Sequence, residues 1–174
     1  MRLHQLKVDF VPEQDRLLLR VSTNDRLELR LWLTRRALRL LWPLLLQIAR
    51  SSPEVVAQAN PLARDALVEL QREQALRQAN FVDPFEEAPR ELPLGAEPLL
   101  VARIRTGRDD TGNAVLALLP HAGQGVHLTL DKLLLHSLCK LLQDAVAQSD
   151  WDLELALPSL PLAAGAEHVP KSLN

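Results

Sequence analysis

The chain has 174 residues, 47% of them hydrophobic and 24% charged, with 6 Gly, 12 Pro and one Cys, a composition that predicts one soluble globular domain. The lone Cys139 excludes a disulfide scaffold, and a formal net charge of −2 excludes the overall basicity of a dedicated duplex-DNA binder. That charge is unevenly spread: residues 1–50 carry ten Lys or Arg against five Asp or Glu, 51–95 carry four against eight, and 96–174 six against nine.

The opening MRLHQLKVDF alternates polar and apolar residues and lacks the apolar run of a signal peptide. The most apolar stretch, 37–49, contains Arg39, Pro43 and Gln47 and is shorter than the roughly 20 residues of a membrane span. A reducing, cytoplasmic setting with no membrane contact is the expectation.

Leu6, Val8 and Phe10 alternate with Gln5, Lys7 and Asp9, which predicts a first strand ended by the PEQD turn at 12–15. A second strand is expected at Arg16–Ser22, and after STND a third at Arg26–Leu33, with Leu27, Leu29, Leu31 and Leu33 facing one way and Arg26, Glu28, Arg30 and Trp32 the other. Thr34 then caps a helix from about 35 to 50, whose Leu38, Leu41, Leu45 and Ile48 recur at helical spacing. Pro43 predicts a kink near Arg39 or a fresh start at Trp42.

Asn60-Pro61 opens a second, weakly amphipathic helix to about Asn80, expected on the surface. The segment 81–98 holds four prolines and four glutamates and is read as a linker unable to continue a helix or join a sheet. The second half repeats the plan: strands at Leu99–Thr106, Asn113–Pro120 and Val126–Leu130, then a helix capped by Asp131. Laying 128–142 under 31–45 matches Asp131 with Thr34, Leu135 with Leu38, Leu138 with Leu41 and Leu142 with Leu45. The fold class expected is α+β: duplicated βββα units, antiparallel sheets with helices on one face. The divisions are 1–50, 51–98 and 99–157, the last with an edge strand at Asp152–Leu157, and a disordered tail at 158–174.

No motif supplies catalysis. Asp110-Thr111-Gly112 matches the aspartic-protease triplet, but it occurs once, among charged residues, where a hairpin turn accounts for its Asp, Gly and Asn. His136 and Cys139 lie three apart on one helix without a third ligand or an orienting carboxylate, and are read as a surface His and a helix-boundary Cys. HAGQG at 121–125 precedes a strand, whereas phosphate loops precede a helix. No catalytic residue, metal or cofactor is assigned.

Two binding surfaces remain. The outer sheet face is expected to gather Lys7, Arg20, Arg26, Arg30, Trp32, Arg103 and Arg105, joined by His127, a basic face with one ring for stacking on a single-stranded nucleic acid. In topology alone, duplicated strands plus a helix resemble the Whirly and Pur-type single-strand-binding folds, whose sheets bind nucleic acid. Those repeats carry four strands where three are counted here, and no motif is shared, so no residue role is carried over. The other surface is a set of protein anchors, Trp42, Phe81 and Phe85. Open sheet edges call for pairing, which a homodimer provides. The reading preferred from sequence is a non-catalytic binding or assembly protein, with nucleic-acid binding as the alternative.

Overall fold

The alternation at the start of the chain becomes three antiparallel strands in the computed structural model, which describes residues 3–87 and 90–157. They are β1 (Leu3–Val11), β2 (Arg16–Thr23) and β3 (Glu28–Leu33). Val8 lies opposite Leu19 and Leu19 opposite Leu31, so the apolar sets of all three share one face; Leu17, Leu19, Val21, Leu31 and Leu33 are fully buried there. The third strand starts two residues later than expected. Arg26 turns the chain at φ 59, and Leu27 makes only a bridge, to Glu91.

Thr34 caps α1 (Arg35–Arg50) by accepting the Ala37 N–H at 3.1 Å. The helix is continuous through Pro43, with no fresh start at Trp42. Proline removes one backbone hydrogen bond, but Pro43 and Arg39 both lie on the exposed side of the helix. Buried Leu41, Trp42 and Leu45 hold the turn from the other side. A short α2 (Pro53–Val56) leads to α3 (Pro61–Gln78), capped by Asn60. The helix α3 is not wholly a surface element: Val68, Gln71 and Ala75 are buried, and it packs along the last helix.

The proline-rich segment does join the first sheet, contrary to expectation. Glu91 N–H donates to Arg26 O, and Glu28 N–H donates to Glu91 O at 2.9 Å. Farther on, β4 (Leu99–Leu100) pairs parallel with Leu31 and Trp32, completing the order β1-β2-β3-β4.

The strand expected at 99–106 is thus divided between two sheets. Val101 N–H still donates to Trp32 O, whereas Ala102 N–H already donates to Leu119 O in the next sheet. That sheet is β5 (Arg103–Arg108), β6 (Ala114–Leu119) and β7 (Val126–Leu130), antiparallel in that order. Asp131 caps α4 (Lys132–Val146) through the Leu134 N–H at 2.7 Å. Residues 152–157 form no strand. They are pinned as an irregular segment by Trp42, whose indole donates to Ala156 O at 2.9 Å, and by Gln143, whose amide donates to Leu155 O. The tail expected to be disordered, 158–174, lies outside the described residues.

The helices α1 and α4 pack against each other and across the halves, α1 on β5 and α4 on β1, so one core includes both sheets. The residues aligned from sequence, Leu38 with Leu135, Leu41 with Leu138 and Leu45 with Leu142, are all buried in it. Each such leucine contributes about 2 kcal/mol relative to an exposed one. The α+β class holds. A duplicated βββα unit is not established, because one sheet has four strands with a parallel edge and the other three.

Candidate functional site

On the outer face of the first sheet, the register aligns Lys7, Arg20 and Arg30 across β1, β2 and β3. Their charges are largely answered from within the chain. Glu28, with its side chain only 3% exposed, receives Arg20 Nε at 2.8 Å and Arg30 Nε at 2.7 Å. Lys7 pairs with Asp9 at 3.1 Å. Phe85 and Glu87 lie over the same face: Glu87 meets Arg20 through two hydrogen bonds of 2.7 Å, and the Phe85 ring centroid lies 4.4 Å from the Arg20 guanidinium carbon. The Gln5 side chain accepts Glu86 N–H, and Arg90 donates to Thr23 O.

The pKa directions follow from this geometry. Glu87 is held below the usual carboxylate range by the hydrogen bonds from Arg20. Burial opposes ionisation of Glu28, but the Arg20 and Arg30 hydrogen bonds outweigh it and lower its pKa. Arg20 is raised further still, by Glu87 first, with burial opposing and Glu28 assisting.

The expected seven-residue basic face is therefore divided. Arg26 is exposed in its turn rather than on a strand, and Trp32 is half-buried between Leu18 and Leu100. Arg103 and Arg105 belong to the second sheet, on the face that carries His127 and Thr129. Both arginines and His127 are exposed, and β5–β7 contain no carboxylate and no Phe, Tyr or Trp. Among the expected protein anchors, Trp42 is 7% exposed and belongs to the core, so it presents no surface to a partner. Phe81 remains exposed, while Phe85 is half-buried against Arg20; both line a groove of about 480 Å³ beside the start of β1, with Leu3, Leu6, Leu133 and Leu141.

His136 and Cys139 are both buried, which corrects their reading as surface and boundary residues. Burial, helped by the positive charges of Arg72 and Lys132, lowers the His136 pKa to about 4. Burial pushes the Cys139 thiol up to about 12, far from a reactive thiolate. Their burial was foreshadowed by the wide apolar arc of Leu133, Leu134, Leu135, Leu138, Leu141 and Leu142, broader than one covered face requires. The Asp110-Thr111-Gly112 triplet lies in the β5–β6 hairpin turn, organised by Asp109, which accepts the N–H groups of Thr111 and Asn113. Among the described residues, no group of three or more His, Cys, Asp or Glu is arranged to hold a metal, and no helix is long and apolar enough to cross a membrane.

No family model matches the sequence, and no curated protein or solved structure matches it significantly.

Proposed function

We propose that the protein is a non-catalytic assembly protein that acts as a homodimer, two copies pairing antiparallel along β1. The observation behind this reading is the strand itself. It is the nine-residue edge of the first sheet, about 30 Å long at 3.3 Å per residue, with β2 as its strand neighbour among the described residues. Its side chains are self-complementary. A twofold axis at Val8 puts Lys7 opposite the partner's Asp9 on the outer face and Leu6 opposite the partner's Phe10 on the inner face. Opposite-charge and apolar cross-strand pairs contribute roughly 0.2–1 kcal/mol each.

Light scattering on two charge variants tests it. Lys7→Glu places Glu opposite Asp, and Asp9→Lys places Lys opposite Lys, so each variant alone should be monomeric. Mixed in equal amounts, they regain two complementary pairs and should dimerise. A monomeric wild type, or two variants that each dimerise like it, would overturn the reading.

A second reading, contact with single-stranded nucleic acid, is supported by the second sheet rather than the first. Arg103, Arg105 and His127 are exposed there without a carboxylate on their strands. With two arginines and His127 as the one ring on this face, such contact is mainly to phosphate and falls steeply with salt. Fluorescence anisotropy with labelled single-stranded DNA should lose this binding in Arg105→Glu; affinity unchanged by that variant removes the face from consideration.

A further inference from the structure

After α3 the chain turns round the start of β1 on its way from the helices to the outer face of the sheet. Phe81 lines the groove beside β1 together with Leu133 of α4, and Phe85 lies over Arg20. Between these two rings the Gln5 side chain donates to Pro84 O and accepts the Glu86 N–H. The register of β1 shifts at the same place: Leu3 lies opposite Thr23 but Gln5 opposite Ser22, so Leu3 and Leu6 face the same side of the sheet as Thr23 and Val21. The groove of about 480 Å³ therefore has Leu3 and Leu6 on one wall and Leu133 and Leu141 on another, with Phe81 43% and Leu133 39% exposed. Both carboxylates in its lining are engaged, Asp83 by the Asn80 amide and Asp131 as the cap of α4. What it offers a partner is apolar surface at the end of an unpaired strand.

We propose that this groove is the socket for a second copy of the chain and receives Val11 and Pro12, the corner where the partner's β1 ends. The inference rests on the β1 pairing proposed above. With the twofold axis at Val8, Leu6 faces the partner's Phe10, Gln5 faces the partner's Val11 and His4 faces the partner's Pro12, and paired strands lie about 4.8 Å apart. His4, Gln5 and Leu6 all line the groove, so the same register that pairs Lys7 with Asp9 lays the corner against it.

Both sides change from hydrogen bonding to apolar contact at that point. Pro12 has no N–H and cannot extend a ladder, and on the receiving copy Pro84 and Glu86 already stand beside Gln5. Glu13, the next residue, is exposed in the turn and stays in water. Strand pairing from Leu6 to Phe10 is a narrow contact, whereas stable interfaces bury about 1,200–2,000 Å². The twofold axis uses the socket twice, once at each end of the paired strands, and so covers Phe81 and Leu133 of both copies.

Two measurements on the full chain test the socket. Leu133→Asp lies in the first turn of α4, where a carboxylate suits the helix N-terminus, and should leave the far-UV circular dichroism unchanged. In analytical ultracentrifugation it should raise the dimer dissociation constant about tenfold. The second measurement uses Pro12→Cys and Ser137→Cys, Ser137 being part of the groove wall. Mixed in equal amounts, these variants should be joined to each other by a short bis-maleimide; neither alone should be joined, because like positions lie at opposite ends of the paired strands. A dimer indifferent to Leu133→Asp, or a mixture that gives no cross-link while the wild type dimerises, overturns the socket and leaves the β1 pairing standing. A wild type that stays monomeric overturns both.

Discussion

Arg20 and Glu87 lie 67 positions apart in the chain and meet through two parallel hydrogen bonds of 2.7 Å, Nη1 to Oε1 and Nη2 to Oε2. The planar guanidinium matches the carboxylate on one edge, donates to Glu28 through Nε, and presents its face to Phe85. Arg20 thus ties Phe85 and Glu87 to the sheet, beside the contacts of Glu86, Arg90 and Glu91. Arg20→Ala should destabilise the fold by about 2 kcal/mol in urea unfolding, because Glu28 stays buried with Arg30 alone. Arg20→Lys should recover little of this, since an ammonium cannot reproduce the fork. In both variants, limited proteolysis should cut within 81–91 before the rest of the chain unfolds.

Stability should fall in two stages on acidification. His136 has a folded pKa of about 4 against the ordinary 6.5, so between those values the unfolded chain takes up a proton that the folded chain does not. Stability is therefore lost as pH falls through that window. Glu28 acts lower: its folded pKa is depressed, so its contribution is complete above the ordinary carboxylate value and disappears as pH falls through the folded one. Calorimetric melting against pH should show His136→Leu flattening the upper stage alone and Glu28→Gln the lower alone.

Cys139, 2% exposed with its thiol pushed up to about 12, should resist thiol reagents in the native state and react fully once the chain is unfolded in urea. Prompt stoichiometric labelling of the folded protein would show that α4 opens far more readily than its packing implies.

Trp42→Phe removes the indole hydrogen bond to Ala156 O and should cost about 1 kcal/mol, with Trp42→Ala costing roughly 3–5 kcal/mol by leaving a cavity. Light scattering should show the Phe variant in the same oligomeric state as wild type. A change of state there would mean that Trp42 contributes to an interface.

What could be read in the sequence was what depends on neighbours along the chain. The alternation of Leu29, Leu31 and Leu33, the Thr34 and Asp131 caps and the turn around Asp109 each need only a few adjacent residues, and they stand as expected. Burial of Glu28 was not legible, because it depends on Arg20 across the sheet; the neutralisation of Arg20 depends in turn on a glutamate in a proline-rich stretch. Division of the outer faces was hidden for the same reason. Inward positions are odd at Leu99 and Val101 but even at Ile104, and only the change of sheet at Ala102 accounts for that shift.

Because α1 covers β5 and α4 covers β1, each half lends its helix to the other. On the ribosome, Leu6, Val8 and Phe10 emerge early and wait unclad until α4 has been made, more than a hundred residues later. Vectorial synthesis therefore gives this chain no stable halfway house. A cut within 81–98 would yield two fragments that fold by finding one another, not two domains that fold alone.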